Sequence, residues 1–239
     1  MAREGRLCTM LTRLTSLAAC LALALAVAAC SPGESSKRYE FAVSQDVDEV
    51  KIESDGASID VFTHTDAGMA VVTNATWRLG KPTVETKVSK KGVATIKVTC
   101  GRSCSAKVKL SIRPNTKLTV DAKKGSLTVG GAQAVGDVEL EDGDVELNLY
   151  RDVVDWKIDV TGGRIGLRIP GRESYELKLQ TEDSDQSDVD LVTSGFSLRK
   201  LDLKTSGGDI EIESTSSLTQ KEPARKPAPK PAAGGDSSH

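Results

Sequence analysis

Gly125-Ser126-Leu127-Thr128-Val129 and Gly143-Asp144-Val145-Glu146-Leu147 are two copies of one pattern. A third copy is Gly163-Arg164-Ile165-Gly166-Leu167, and a fourth is Gly208-Asp209-Ile210-Glu211-Ile212. Each glycine opens a run in which every second residue is aliphatic, the period of a half-buried strand. The first three glycines lie 18 and 20 residues apart, and the next rung in sequence is expected near Asp183-Ser184-Asp185, without a glycine. The stretch between copies holds a second strand, as at Trp156–Val160 and Leu177–Leu179. A strand this short cannot bury its apolar face alone, so repeated strands stack and share one core. The pattern predicts an all-β chain: a single-domain, β-solenoid-like stack of short strands, with a glycine supplying positive φ at each corner. A sandwich of hairpins is the alternative, because period alone does not fix pairing.

Working outward, the same alternation recurs at Val108–Ile112, Val189–Leu191 and Leu201–Leu203, and no stretch sustains a helical period. Aromatic residues are only 3% of the chain, so Val, Ile and Leu must build the core. Trp77, Trp156 and Tyr150 together suggest a sugar-stacking strip, but Trp156 shares parity with Ile158 and Val160, which places it inside.

The N-terminus has its own logic. Arg3, Arg6 and Arg13 precede an almost wholly Leu, Ala and Val run from Leu14 to Ala29. That run is short for a membrane span of about 20 residues and suits the apolar part of a secretory signal. It ends Val27-Ala28-Ala29-Cys30, which resembles the bacterial lipobox, in which the cysteine takes a diacylglyceryl group and cleavage falls before it. The resemblance implies a signal peptide at 1–29, lipidation (palmitate-type acylation) at Cys30, and a membrane-anchored exported protein. Two or three chains at about 0.8 kcal/mol per buried CH₂ hold such an anchor stably. Met10 is an alternative start, because a complete signal would remain.

Three segments follow: a polar tether at 30–38, the domain at 39–215, and a Pro/Ala/Lys-rich tail at 216–239 expected to be disordered. Without residues 1–29 the chain has 29 basic and 33 acidic side chains, so there is no basic excess to suggest nucleic acid. Cys8 and Cys20 leave with the signal, and Cys100 and Cys104 remain in an oxidising compartment. Cys100-Gly101-Arg102-Ser103-Cys104 is expected to close a small disulfide loop, with Gly101 allowing the turn. A zinc site lacks further ligands, since only His64 and His239 are available.

Cys104–Leu110, Pro114–Val120 and Gly125–Gly131, with the Gly-Asp-Val/Ile pieces at 143–145 and 208–210, resemble the bacterial putative-adhesin family. The resemblance covers roughly 47–215. It implies a β-solenoid-like envelope domain and, by its name, adhesion; it supplies no catalytic residues. The 183–188 segment departs from it in lacking a corner glycine.

Signals for chemistry are sparse. There is no Gly-x-Ser-x-Gly elbow and no phosphate-cradling loop, and His64, read as exposed in a turn, is the one internal histidine. Glu139, Glu141, Asp142, Asp144 and Glu146 form one acidic run, and Asp183, Asp185, Asp188 and Asp190 another. The second is a poor calcium loop: position six is Asp188, not glycine, and position twelve is Ser194, not glutamate. No catalytic residue, metal or cofactor is therefore expected. Three readings stay open: a non-catalytic surface module binding an envelope protein or polysaccharide, a polysaccharide-processing solenoid enzyme, and a structural or regulatory lipoprotein.

Overall fold

The computed structural model describes residues 33–215 except 65, 67, 132–134, 151–153, 172–173, 182–186 and 190, and only the backbone of 187–189. The segment read as a signal peptide (1–29), Cys30 and the tail from 216 lie outside the described residues. Within them are seventeen strands and no helix. The first seven are β1 (Ser35–Val43), β2 (Glu49–Asp55), β3 (Ala57–Thr63), β4 (Met69–Trp77), β5 (Thr83–Val88), β6 (Val93–Thr99) and β7 (Cys104–Ile112). Next come β8 (Lys117–Ala122), β9 (Leu127–Gly131), β10 (Val135–Leu140), β11 (Val145–Leu149), β12 (Asp155–Val160) and β13 (Ile165–Pro170). The last are β14 (Glu176–Thr181), β15 (Ser187–Val189), β16 (Lys200–Thr205) and β17 (Ile210–Thr215).

The strands form two facing sheets. The first runs β1-β4-β7-β3-β9-β11-β13-β17-β15, and the second β14-β16-β12-β10-β8-β2-β6-β5. From β7 to β15 in the first sheet and from β6 to β14 in the second, neighbours are parallel. Each rung therefore gives one strand to each sheet, the solenoid arrangement expected from the repeat. The hairpin sandwich is excluded for these rungs. At one end β4 pairs antiparallel with β1 and β7, and β5 pairs antiparallel with β6.

Register follows the repeat: Leu127 pairs Val145, Val145 pairs Ile165, and Ile165 pairs Ile210. The spatial neighbour of β13 is thus β17, not the rung expected next in sequence near 183–185. That segment lies outside the described residues, and β15 sits one place further out. The other end shows a matching crossover: the rung of β2 and β3 lies between those of β8/β9 and β6/β7.

The corner glycines explain the order. A Cβ at Gly143 would strike the carbonyl oxygen of Gly125, one at Gly163 that of Gly143, and one at Gly208 that of Gly163. Gly125 (φ +127°) and Gly143 (φ +139°) also need the left-handed region. Gly163 and Gly208 do not, so close approach between rungs, not positive φ, is the requirement shared by all four. Backbone bonds lace this corner: Gly125 N–H donates to Asp142 O, Leu127 N–H to Asp144 O and Val145 N–H to Arg164 O.

Inward positions are aliphatic and closed. Val145, Leu147, Leu149, Ile165, Leu167, Ile169, Ile210 and Ile212 are all buried, each worth about 1.5–3 kcal/mol relative to exposure. Trp156 is fully buried, as its parity predicts, with its ring over Gly136, where a Cβ would collide with it.

Three local expectations change. β1 begins at Ser35, inside the segment read as tether (30–38), because it pairs residue for residue with β4 from Ser35–Trp77 to Val43–Met69. In the Cys100–Cys104 loop, which the disulfide closes with Cα atoms 5.4 Å apart, the left-handed residue is Ser103 (φ 61°), not Gly101. Ser103 O then accepts the Arg78 N–H at 3.1 Å. His64 is half-buried, and its N–H donates to Ile112 O.

Candidate functional site

The acidic run divides between surfaces. Glu139 lies on β10 of the second sheet and Glu146 on β11 of the first, with Glu141, Asp142 and Asp144 at the corner between them. Asp144 accepts the Arg164 N–H at 3.0 Å, and Glu146 faces the Arg164 guanidinium at 3.4 Å. Among the described residues, no group of three or more His, Cys, Asp or Glu side chains is placed to hold a metal. Of the second run, Asp183, Asp185 and Asp190 lie outside the described residues, as does the side chain of Asp188. The aromatic strip does not form: Trp156 is core, Tyr150 is 66% exposed at a corner, and Trp77 is half-buried at the end of β4.

The outer face of the second sheet carries charge ladders built by register. Lys178, Asp202, Lys157 and Asp137 form one row across β14, β16, β12 and β10. Glu176, Lys200 and Asp155 form the row beside it, with Lys200 Nζ 4.0 Å from Glu176. Sign alternates along and across these rows, so each charge has an opposite neighbour, a pairing worth at most about 1 kcal/mol when exposed. A groove of about 260 Å³ runs between them, walled also by Lys117, Gly136 and Leu201. On the first sheet, a depression over Gly166 is rimmed by Arg168, Glu211 and Glu213. Glu213 hydrogen-bonds Arg168 Nε at 2.7 Å and, with Glu146 and Glu211 adding negative charge, holds the guanidinium above its ordinary pKa. Similarly, Lys97 is raised by its hydrogen bond to Glu53, and Glu85 is lowered by its bond to Lys87.

The groove is flanked by a loop that the sequence reading missed. Residues 191–199 join β15 to β16 and are well tethered. Tyr175 N–H donates to Val192 O, Ser194 N–H to Tyr175 O, and Glu176 N–H to Arg199 O. Ser197 Oγ donates to Ser174 O at 2.6 Å. Tyr175 beneath it is fully buried and donates its hydroxyl to Pro170 O. This braced loop nevertheless holds Phe196 at 98% exposure and Leu198 at 90%, with Val192 at 60% beside them. Val154, also exposed, is joined to the loop's end by the Lys200 N–H on its carbonyl. The missed signal was Phe196-Ser197-Leu198, two large apolar residues at strand spacing in a Ser/Gly segment.

Fold and surface together define a β-solenoid-like stack of two facing, largely parallel sheets, with patterned outer faces and elaborated ends. The chain belongs to the Toastrack DUF4097 family, whose model matches residues 35–189. Among solved structures, it is similar to a putative cell adhesion protein from Clostridium sporogenes at 11% identity and a TM-score of 0.43, covering 75% of this chain and 100% of that one. It is also similar to a putative adhesin from Bacteroides fragilis (11% identity, TM-score 0.27, 76% and 99% covered). A third is a putative lipid binding protein from Parabacteroides distasonis (12%, 0.25, 75% and 97%). No curated protein matches the chain.

Proposed function

We propose that the chain is a non-catalytic, lipid-anchored module of the bacterial cell envelope that binds a protein partner at the end of its stack remote from the anchor. The observation that carries this reading is the braced loop presenting Phe196 and Leu198 beside a groove of alternating charge. Exposed aromatic and aliphatic anchors on an ordered loop are the anatomy of a protein interface, and the loop's end joins Glu176 and Lys200 in the wall of the charged groove. An ordered loop also loses little entropy on binding.

Chain geometry supports the orientation. Cys30 is five residues before β1, and five residues span at most about 17 Å, so the β1 edge stays near the lipid. β15 lies eight strand spacings from β1 in the first sheet, roughly 38 Å away at about 4.8 Å per spacing. The stack then works as a spacer that holds the loop away from the bilayer.

The test uses the mature chain as bait in detergent-solubilised envelope extracts, beside a Phe196→Ser/Leu198→Ser variant. Both positions are exposed, so the variant should melt within about 1 °C of the wild type. The wild type should retain partners that the variant loses. Identical capture by both, or binding only to purified envelope polysaccharide, would overturn the assignment. Intact mass and detergent partitioning test the anchor: Cys30→Ser should abolish acylation.

A further inference from the structure

One long corner of the stack joins the start of β1, the β4–β5 loop and the turns that lead from the second sheet to the first. Register brings these pieces together: Ser35 pairs Trp77, Trp77 pairs Cys104, and Thr83 pairs Thr99. The charge of this corner changes sign along the stack. At the end where β1 begins it carries five exposed cations: Arg78 and Lys81 between β4 and β5, Arg102 in the disulfide loop, and Lys123 and Lys124 before β9. Among the described residues none of the five makes an ion pair. The acidic groups on the same stretch are Glu34, before β1, and Asp55, half-buried at the end of β2. Round on the second sheet, Lys123 shares a shallow hollow with Glu53, Asp55 and Asp121, of which Glu53 is taken by Lys97 at 2.9 Å. Further along the corner Glu141, Asp142, Asp144 and Asp209 stand against Arg164 alone, which faces Glu146 at 3.4 Å. A positive stretch therefore gives way to a negative one, in a chain whose acidic side chains outnumber the basic ones once residues 1–29 are set aside.

The positive stretch also presents an apolar tip. Leu79 is 64% exposed between Arg78 and Lys81, next to the half-buried Trp77. Its loop is held at both sides: Arg78 N–H donates to Ser103 O at 3.1 Å, and Pro82 is buried. Because Ser35 lies opposite Trp77, this loop starts beside the residue that Cys30 precedes by five, a reach of at most about 17 Å. Lys123 and Lys124 are three strand spacings further on, from β4 to β9, or about 14 Å.

We propose that this corner docks on an anionic phospholipid surface, with Leu79 entering the interface and Arg78, Lys81, Arg102, Lys123 and Lys124 lying over the head groups. The inference rests on the anchored reading above, which brings this corner to a bilayer, and it adds what the folded domain does there. Basic side chains around an apolar residue form an interfacial contact whose strength depends on anionic lipid. Held by the anchor, even a weak contact is made at high effective concentration. The negative stretch is repelled by the same surface, so the far end of the stack tilts away. The loop of Phe196 lies at the opposite corner, where the first sheet leads to the second, and so faces outward.

The experiment is vesicle co-sedimentation of the mature chain carrying Cys30→Ser, which has no acyl group of its own. The vesicles are phosphatidylglycerol–phosphatidylcholine mixtures or phosphatidylcholine alone. Binding is expected to the mixed vesicles and to weaken as salt is added. Each basic side chain near such a surface contributes about fivefold, so Lys123→Gln/Lys124→Gln should bind about twenty-five-fold more weakly. Lys90→Gln/Lys91→Gln removes the same charge from the exposed β5–β6 turn at the opposite corner, and should stay within about threefold of the parent. Leu79→Ser should weaken binding about tenfold at low and at high salt, since its contribution is apolar. These positions are exposed, so all variants should melt within about 1 °C of the parent. No binding to the mixed vesicles, equal binding to phosphatidylcholine alone, equal losses in the two lysine pairs, or no loss in Leu79→Ser would overturn the proposal. Failure here leaves the Cys30 anchor, read by intact mass, standing; failure of the anchor leaves this binding measurable.

Discussion

Leu147 and Glu146 are adjacent in β11 and should respond very unequally to substitution. Leu147 is buried at 1% exposure, between Val129 and Leu167 on the neighbouring strands. Leu147→Asp removes an aliphatic burial worth roughly 2 kcal/mol. It also leaves a carboxyl without partners, which adds about 1–3 kcal/mol even when protonated. The loss of about 3–5 kcal/mol should lower the melting temperature by roughly 6–20 °C at this domain size. Glu146→Ala removes a half-exposed carboxylate 3.4 Å from Arg164, and should cost less than about 0.5 kcal/mol. The introduced carboxyl carries a further signature. Burial raises its folded pKa above the unfolded value near 3.9. Above that value the native state holds more protons than the unfolded chain, so the variant loses stability as pH rises. Its deficit against wild type should be larger at pH 7.5 than at pH 4. Melts of the three proteins at both pH values decide the matter. Equal small losses, or a deficit independent of pH, would refute the inward placement of Leu147 and with it the register of the stack.

Gly143→Ala, at φ +139° and against the Gly125 carbonyl, should cost at least about 2 kcal/mol in denaturant melts, whereas Gly101→Ala, with nothing within 4 Å, should stay within about 0.5 kcal/mol. Gly136→Ala should cost about 1–3 kcal/mol by overpacking against Trp156, and adding Trp156→Leu should recover part of that loss in a double-mutant cycle. Reduction of Cys100–Cys104, followed by mass after alkylation, should lower stability by about 2 kcal/mol, as expected for so short a loop. In acid, the Glu85–Lys87 contact should weaken as pH falls through the lowered carboxyl pKa of Glu85, and an NMR titration of its side chain should show a midpoint below that of a free glutamate.

What the sequence made legible was the interior of the stack, because there one rule governs every residue. Alternation puts Val145, Leu147 and Leu149 inside, and the glycine spacing of 18 and 20 residues is the register offset of Leu127, Val145 and Ile165. Trp156 obeyed the same parity. The ends escaped because other rules apply there. Order along the chain suggested that 183–185 would follow 163, yet Gly208 carries the feature that the Gly163 carbonyl demands, a residue without a Cβ. Requiring close approach at every corner, instead of positive φ, would have placed β17 next to β13 from sequence alone. The start of β1 was hidden because Ser35–Arg38 bury nothing and are held by backbone pairing with β4. Phe196-Ser197-Leu198 alternates as a half-buried strand would, so parity alone would have put both side chains inside, whereas the structure leaves them in solvent.

The same contrast explains where function can reside. Inside the stack, each rung is stabilised by the two beside it, and a corner Cβ or an inward polar group disturbs its neighbours as well. Those positions have little freedom to acquire a ligand. The terminal rungs touch a neighbour on one side only. An open strand edge invites pairing with another chain. At one end this edge carries Lys37, Arg38 and Glu40 on β1 and Glu85 and Lys87 on β5. At the other, β15 is only three residues long and is followed by the braced loop. Both devices oppose end-to-end growth, and both leave side chains that the core does not need. Tyr39, Phe41 and Val84 stay half-buried on the terminal strands at the first end, and Phe196 and Leu198 stand in solvent at the second. With the lipid proposed above at one of its unlike ends, the stack would take a defined orientation, and its two surfaces would face different surroundings, one the bilayer and the other the space beyond it.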